Sequence, residues 1–247
     1  MIRFNYLGRM AYAEALDLQL RLAALRTEGL VENTLLLVEH PPVLTLGRNA
    51  GRENILASDA MLAARGVEVH EIKRGGDVTY HGLGQLVGYP IFDLRTLQNP
   101  GSGRMGPVDF VRLMEEALIR LTIQHGIYAG RLAGLTGVWC GLNETENHAV
   151  PGRKIAAIGI HVSRGIVTHG FAYNLATQLE DFRLINPCGI TDRPVTSLEV
   201  EWQRAGKYEP LPGLEGFAWD AARWFGEVLG EQMEPAGSMD EIHVVPR

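Results

Sequence analysis

Two residue types are scarce in this chain of 247 residues: it has two cysteines, Cys140 and Cys188, and three lysines. Two cysteines are too few for a disulfide framework, which favours a reduced setting. No apolar stretch approaches the ~20 residues that cross a bilayer, and the opening MIRFNYLGRM lacks the apolar run of a signal peptide. These absences predict a cytoplasmic protein that does not act at a membrane.

Clustered positive charge is also absent. The net charge is -6, and no run of basic residues is longer than two. Because phosphate backbones are bound by clustered Lys and Arg, this argues against a nucleic-acid-binding protein. A local arginine patch could still attract an acidic protein partner. The two cysteines lie far apart in the chain and no Cys, His and carboxylate cluster has zinc-site spacing, so we predict no metal.

The few lysines are informative because 20 of the 23 basic residues are arginine. Lysine remains only at Lys73, Lys154 and Lys207. A general bias towards arginine would spare a lysine whose compact, titratable amine cannot be replaced. Lys154, beside the apolar run that follows it, is the candidate for such a position.

The sequence does contain enough apolar residues for a sizeable core, since 46% of its residues are hydrophobic. One domain spanning residues 1–247 is favoured over two smaller ones. Helical periodicity predicts helices over 9–28, 58–65, 107–125 and 214–229. Short apolar or β-branched runs predict strands over 34–39, 43–47, 67–72, 85–94, 127–129, 137–140, 155–162 and 166–174. Since the strands come as hairpins and meanders, we expect an α+β fold with mixed, mostly antiparallel sheets flanked by helices.

The densest chemical signal is the segment RGGDVTYHGLGQ at residues 74–85, with four glycines among polar side chains. Glycine permits positive φ and close approach, and Thr, Tyr and His offer polar tips, so the segment suits a loop that encloses a substrate. It lacks the GK[ST] of a phosphate-binding P-loop. Ordinary Gly-Gly turns give a competing, purely structural interpretation.

Two further segments favour the functional interpretation: GRKIAAIGIH at 152–161 and INPCGI at 185–190. With the first, which continues through Val87, Tyr89 and Pro90, they closely resemble the signatures of the lipoyl(octanoyl) transferases. The resemblance covers residues ~34–195. Leu83 stands where that family usually has proline, which alters loop rigidity but removes no reactive group.

This resemblance implies the fold of the biotin and lipoate protein ligases, with the Gly-rich loop over an acyl tunnel. It implies Cys188 as nucleophile and Lys154 as its activating partner. The implied substrate contacts are Arg74, Gly75, Gly76, Asp77, Val78, Thr79, Tyr80, His81, Ala157, Ile158, Gly159, Gly170, Phe171 and Ala172. The implied donor is octanoyl-acyl carrier protein, and the acceptors are lipoyl domains of 2-oxoacid dehydrogenase complexes and the glycine cleavage H protein. No cofactor is implied, and a monomer is the default.

The residue chemistry is consistent with these roles. A thiol of pKa about 8.5 is only slightly ionised at neutral pH, and an adjacent ammonium raises the reactive thiolate fraction. We therefore expect a ping-pong mechanism in which Cys188 takes the acyl chain and an acceptor lysine receives it, with Lys154 as general base. Burial beside Ile155 would help Lys154 lose its proton. Backbone N–H groups at Cys188 and Gly189 could stabilise the oxyanion.

Several alternatives stay open. Cys140, inside an apolar strand, is expected to be a core residue. His81 is expected to contact substrate, whereas the role of His161 is undecided. The rival functions are an ATP-dependent lipoate or biotin ligase on the same scaffold and a non-catalytic acyl-binding protein.

Overall fold

The computed structural model describes residues 1–100, 103–142, 152–186 and 193–236. Its main feature is an eight-stranded sheet in the order β11-β1-β2-β6-β10-β9-β8-β7. Strand β1 is parallel to β2 and β11, and the remaining neighbours are antiparallel. The strands are β1 Ile2–Arg9, β2 Asn33–Glu39, β6 Gln85–Ile91, β7 Ala129–Leu132, β8 Leu135–Cys140, β9 Arg153–Ser163, β10 Ile166–Asn174 and β11 Met233–Pro235.

Helices cover both faces of this sheet. Helix α1, Tyr12–Thr27, packs on β6 and β10 through Ala15, Leu18 and Leu22. On the opposite face, α3 Pro107–Gln124 and α5 Leu214–Leu229 pack together over the larger core. Helix α4, Leu198–Arg204, follows β10 and adds Leu198 to that core. Because both faces are covered, β10 is buried along its whole length, including its polar residues Thr168, His169 and Asn174.

A second, three-stranded sheet in the order β4-β3-β5 frames the Gly-rich segment. It consists of β3 Val43–Leu46, β4 Glu68–Glu71 and β5 Val78–His81, with α2 Asp59–Ala64 between β3 and β4. Strand β5 ends two residues before a tight turn that leads into β6 of the large sheet. The Gly-rich segment is thereby held where the two sheets meet.

Most predicted elements are present, and the α+β class with mixed, mostly antiparallel sheets flanked by helices is confirmed. Ser58 caps α2 by accepting from the Met61 N–H, as the sequence indicates. The turn between β9 and β10 has positive φ at Arg164 and Gly165, as a tight hairpin requires. None of the helices in the described ranges is both long and apolar enough to span a bilayer.

Some expectations were wrong. The neighbouring predicted strands 34–39 and 43–47 lie in different sheets, since β2 belongs to the large sheet and β3 to the small one. Residues 2–9 form β1, which the sequence analysis missed, so α1 begins at Tyr12 instead of residue 9. Helix α4 was also missed, and its cap is Ser197, whose Oγ accepts from the Val200 N–H.

Candidate active site

A cavity of roughly 500 Å³ lies between the Gly-rich loop and strands β9 and β10. Fourteen of the predicted site residues line it. These are Lys154, Arg74, Gly75, Gly76, Asp77, Val78, Thr79, His81, Ala157, Ile158, Gly159, Gly170, Phe171 and Ala172. Three separate sequence segments thus meet at one concave surface of a size suited to a small acyl group.

The Gly-rich loop is fixed to the strands beneath it by its backbone. The Gly75 N–H donates to the Ile160 carbonyl at 2.9 Å, and a Cβ at Gly159 would lie 2.7 Å from the Gly75 carbonyl oxygen. The Arg74 guanidinium donates to the carbonyl and hydroxyl of Thr45 and to the Gly75 carbonyl. Glycine at 159 is therefore required by the loop itself, which packs directly onto β9.

Asp77 connects this loop to the segment at 182–186. Its carboxylate accepts from Asn54 Nδ2 at 2.8 Å and from the Val78 N–H at 2.7 Å. The Asn54 carbonyl in turn accepts from the Asn186 N–H at 2.7 Å. Asn186 is therefore linked to Asp77 of the Gly-rich loop through hydrogen bonds with Asn54.

The backbone of Lys154, at the start of β9, is held by residues 194–196. Its N–H donates to the Pro194 carbonyl and its carbonyl accepts from the Thr196 N–H, both at 2.9 Å. The Lys154 amine lies 4.8 Å from the centre of the Trp139 ring, a geometry that stabilises the ammonium form. The half-buried Lys154 side chain lines the cavity beside Trp139.

A buried ion pair supports this arrangement from behind. Arg153 donates to both carboxylate oxygens of Glu201, at 2.8 and 2.9 Å, and Thr196 Oγ1 donates to Glu201 at 2.6 Å. Arg153 directly precedes Lys154, and the Thr196 N–H donates to the Lys154 carbonyl. The Glu201 carboxylate therefore connects the start of β9 to the segment that contains Thr196.

Two predicted site residues are not among these fourteen, for different reasons. Cys188 lies outside the described residues. The Tyr80 side chain points into the core of the small sheet, where its hydroxyl donates to Asp181 at 2.8 Å and its ring packs on Phe182. Burial and the Asp181 carboxylate raise the pKa of Tyr80. Tyr80 thus anchors β5 through its side chain.

Other residues singled out from the sequence fall in place. Cys140 is fully buried in the large core. His161 is half-buried on β9 and does not line the cavity. Leu83 is 43% exposed in a turn where the Gln85 N–H donates to the Gly82 carbonyl and Gly84 has φ +76°. That is a type II turn with Leu83 at its second position, where proline is common.

Polar side chains also line the cavity beside the junction of β5 and β6. Gln85 Nε2 donates to Tyr80 O and Asn174 Oδ1, which leaves Gln85 Oε1 to accept from His81 Nδ1 at 2.8 Å. Burial, with the charge of His40, lowers the pKa of His81 to about 3. Burial lowers the pKa of His169 to about 4. These imidazoles are neutral at pH 7.

The sequence analysis missed several lining residues, among them Tyr12, Tyr89 and His169. Tyr89 lies in the recognised signature, where its hydroxyl donates to His40 Nε2 because His40 Nδ1 donates to the Met10 carbonyl. His169 directly precedes the predicted site residue Gly170, and this proximity in the sequence could have indicated that His169 lines the cavity. Tyr12 comes from α1 and could be placed only by the fold. In the described part of the chain no group of three His, Cys, Asp or Glu is arranged to hold a metal.

Comparison with known proteins identifies the family. Residues 11–209 match the family described as lipoyl protein ligase A/B catalytic domain. An octanoyltransferase of Acidobacterium capsulatum is 56% identical over 234 residues, covering 94% of this chain and 92% of its own. The chain belongs to the octanoyltransferase family. A second member, from Koribacter versatilis, is 47% identical over 246 residues, 100% of this chain and 91% of its own.

The solved structures show the fold of this octanoyltransferase family member. Lipoate-protein ligase A bound with ATP superposes with a TM-score of 0.67 at 16% identity, covering 96% of this chain and 90% of that one. The predicted lipoate ligase-like fold and the predicted family are both confirmed. The roles of individual site residues stay predictions.

Proposed function

We propose that this acyltransferase moves an octanoyl group from octanoyl-acyl carrier protein to a lysine of a lipoyl domain, through a thioester on Cys188. The acceptors are the lipoyl domains of 2-oxoacid dehydrogenase complexes and the glycine cleavage H protein. The enzyme acts as a single-domain monomer in the cytoplasm and requires no cofactor.

One observation supports this most strongly: both ends of the segment 187–192 are attached to the cavity. Before it, Phe182 lines the cavity and Asn186 is bonded to Asn54, which holds Asp77. After it, Val195 lines the cavity and pairs with Lys154. This arrangement of the described residues on both sides of positions 187–192 supports the proposal that Cys188 acts beside Lys154.

The chemistry that follows is balanced in protons and bonds. With an ammonium at Lys154, the Cys188 thiolate attacks the donor's acyl carbon, and the departing carrier thiolate takes a proton from Lys154. The neutral Lys154 amine then accepts a proton as the acceptor lysine attacks the new thioester. Cys188 leaves as thiolate, which restores the starting state without ATP.

The main alternative is an ATP-dependent ligase, since a lipoate ligase shares the fold. Purified enzyme, apo lipoyl domain and octanoyl-carrier protein are incubated with and without ATP. We expect equal octanoylation, read by the mass of the lipoyl domain. Strict dependence on ATP would support the ligase instead, and no transfer under either condition would support a non-catalytic acyl-binding protein.

A further inference from the structure

His169 has an unusual backbone for a residue within a strand. Its φ is +57°, a left-handed conformation rare outside glycine, although β10 continues on both sides. Its N–H donates to Oε1 of the fully buried Gln19 on α1, at 2.9 Å, instead of to a neighbouring strand. Strained residues of this kind persist where the surrounding structure holds them, and they concentrate at functional sites.

The side chain of His169 is unusual too. It is 6% exposed and lines the cavity, and its Nδ1 atom has no hydrogen-bond partner among the described residues. A buried polar atom left unpaired is destabilising and rare in folded proteins. The strain and the unpaired nitrogen together indicate that a polar surface is maintained at this point of the cavity.

His169 lies at the end of the cavity farthest from Lys154. It pairs with Ile160, six residues along β9 from Lys154, or about 20 Å at strand spacing. An extended eight-carbon chain, with bonds of ~1.5 Å that advance about 1.25 Å each, spans roughly 9 Å. The Lys154 side chain and the thioester group occupy the remainder.

The wall changes character along this path. By strand register, the lining residues Val87, Ile158 and Ala172 lie between Lys154 and His169. Apolar surface in the middle favours methylene groups. The polar far end offers none of that gain to a longer chain, which would also separate the imidazole from any water that pairs with it.

We infer that His169 forms a polar end wall that sets the length of the acyl chain this enzyme transfers. This rests on the proposed acyl transfer and adds a specificity-determining residue to it. Each methylene that is denied burial costs a factor of about four in relative rate or affinity. A donor two carbons longer than octanoyl is therefore disfavoured about 15-fold by this wall.

The test uses His169→Gly, which removes the wall and suits the positive φ, and His169→Asn, which keeps a polar group in a residue that tolerates it. His161→Ala is the matched control, because His161 is a histidine on the neighbouring strand outside the cavity lining. Carrier proteins charged with hexanoyl to dodecanoyl chains are compared by kcat/KM. For His169→Gly we expect the decanoyl-to-octanoyl ratio to rise about 15-fold, for His169→Asn less, and for the control no change.

An unchanged ratio in a folded His169→Gly enzyme, or an equal rise in the His161→Ala control, would overturn the inference. Thermal unfolding with free octanoate or decanoate provides a readout that needs no turnover. The stabilisation by decanoate should increase relative to that by octanoate only in His169→Gly. A wild-type enzyme that binds these acids in the expected order but transfers no chain would refute the proposed function and leave the end wall supported.

Discussion

The two ends of the cavity differ in how they handle charge. At the Lys154 end the Lys154 Nζ lies over the Trp139 ring, and the buried Arg153–Glu201 ion pair lies beside it in the sequence. At the far end His169 is buried and neutral at pH 7. An ion pair and an amine thus lie where a thiolate and an oxyanion would form, whereas a neutral imidazole lies at the far end. The difference suggests that one end performs chemistry and the other selects the chain.

The largest effect is expected at the charged end. Lys154→Arg keeps a positive charge but cannot give up its proton, so transfer should fall by about 10²–10⁴-fold if Lys154 is the general base. Steady-state rates and octanoyl-enzyme formation are measured for both proteins. If Lys154→Arg works at near wild-type rate, the amine acts through charge alone, and its assignment as base is wrong.

The support behind Lys154 should matter for stability. Glu201→Gln leaves the buried Arg153 without its carboxylate and should lower the free energy of unfolding by about 3–5 kcal/mol, with activity lost in parallel. Glu227→Gln, which removes an exposed pair with Arg223, is the control and should cost at most about 0.5 kcal/mol. Urea titrations measure both. Equal effects would show that the buried pair has no special role.

Three buried histidines should make the stability of the protein sensitive to acid. Burial lowers the pKa of His40 and His169 to about 4 and of His81 to about 3, from 6.5. The unfolded chain therefore binds more protons below pH 6.5, and stability is lost as pH falls from 6.5 towards 4. Each histidine contributes a slope of up to about 1.4 kcal/mol per pH unit.

His169→Asn removes one of these titrations, so its unfolding free energy should fall less steeply between pH 6.5 and 5 than that of wild type. Urea titrations at half-unit steps measure the two slopes. Parallel curves would mean that His169 is protonated normally in the folded protein.

The smallest effect is expected in the turn that precedes β6, which belongs to neither end of the cavity. Leu83→Pro fits the second position of a type II turn and should stabilise the protein by about 0.4–1 kcal/mol through the unfolded chain. Thermal unfolding measures the gain, and transfer activity should not change. Destabilisation would show that the Leu83 N–H or side chain makes a contact that the turn geometry does not reveal.

Sequence reasoning succeeded where local pattern and chemistry coincide. The periodicity of α5 and the alternation of β9 and β10 placed those elements to within a few residues, and the Gly-rich motif located the loop. It failed where tertiary contacts decide. Strand β1 is stabilised by pairing with β2 and β11, and Tyr12 reaches the cavity only because α1 packs on β10. The Tyr80 side chain was misplaced because strand alternation was not applied within a recognised motif.

The central claim is that the acyl chain rests on the Cys188 sulfur between donor and acceptor. Intact mass of the enzyme after exposure to octanoyl-carrier protein, without acceptor, tests it directly. Wild type and Cys140→Ser should each gain one octanoyl group that hydroxylamine removes, and Cys188→Ala should gain none. An octanoyl adduct on Cys188→Ala, or full transfer by that variant, would contradict the account.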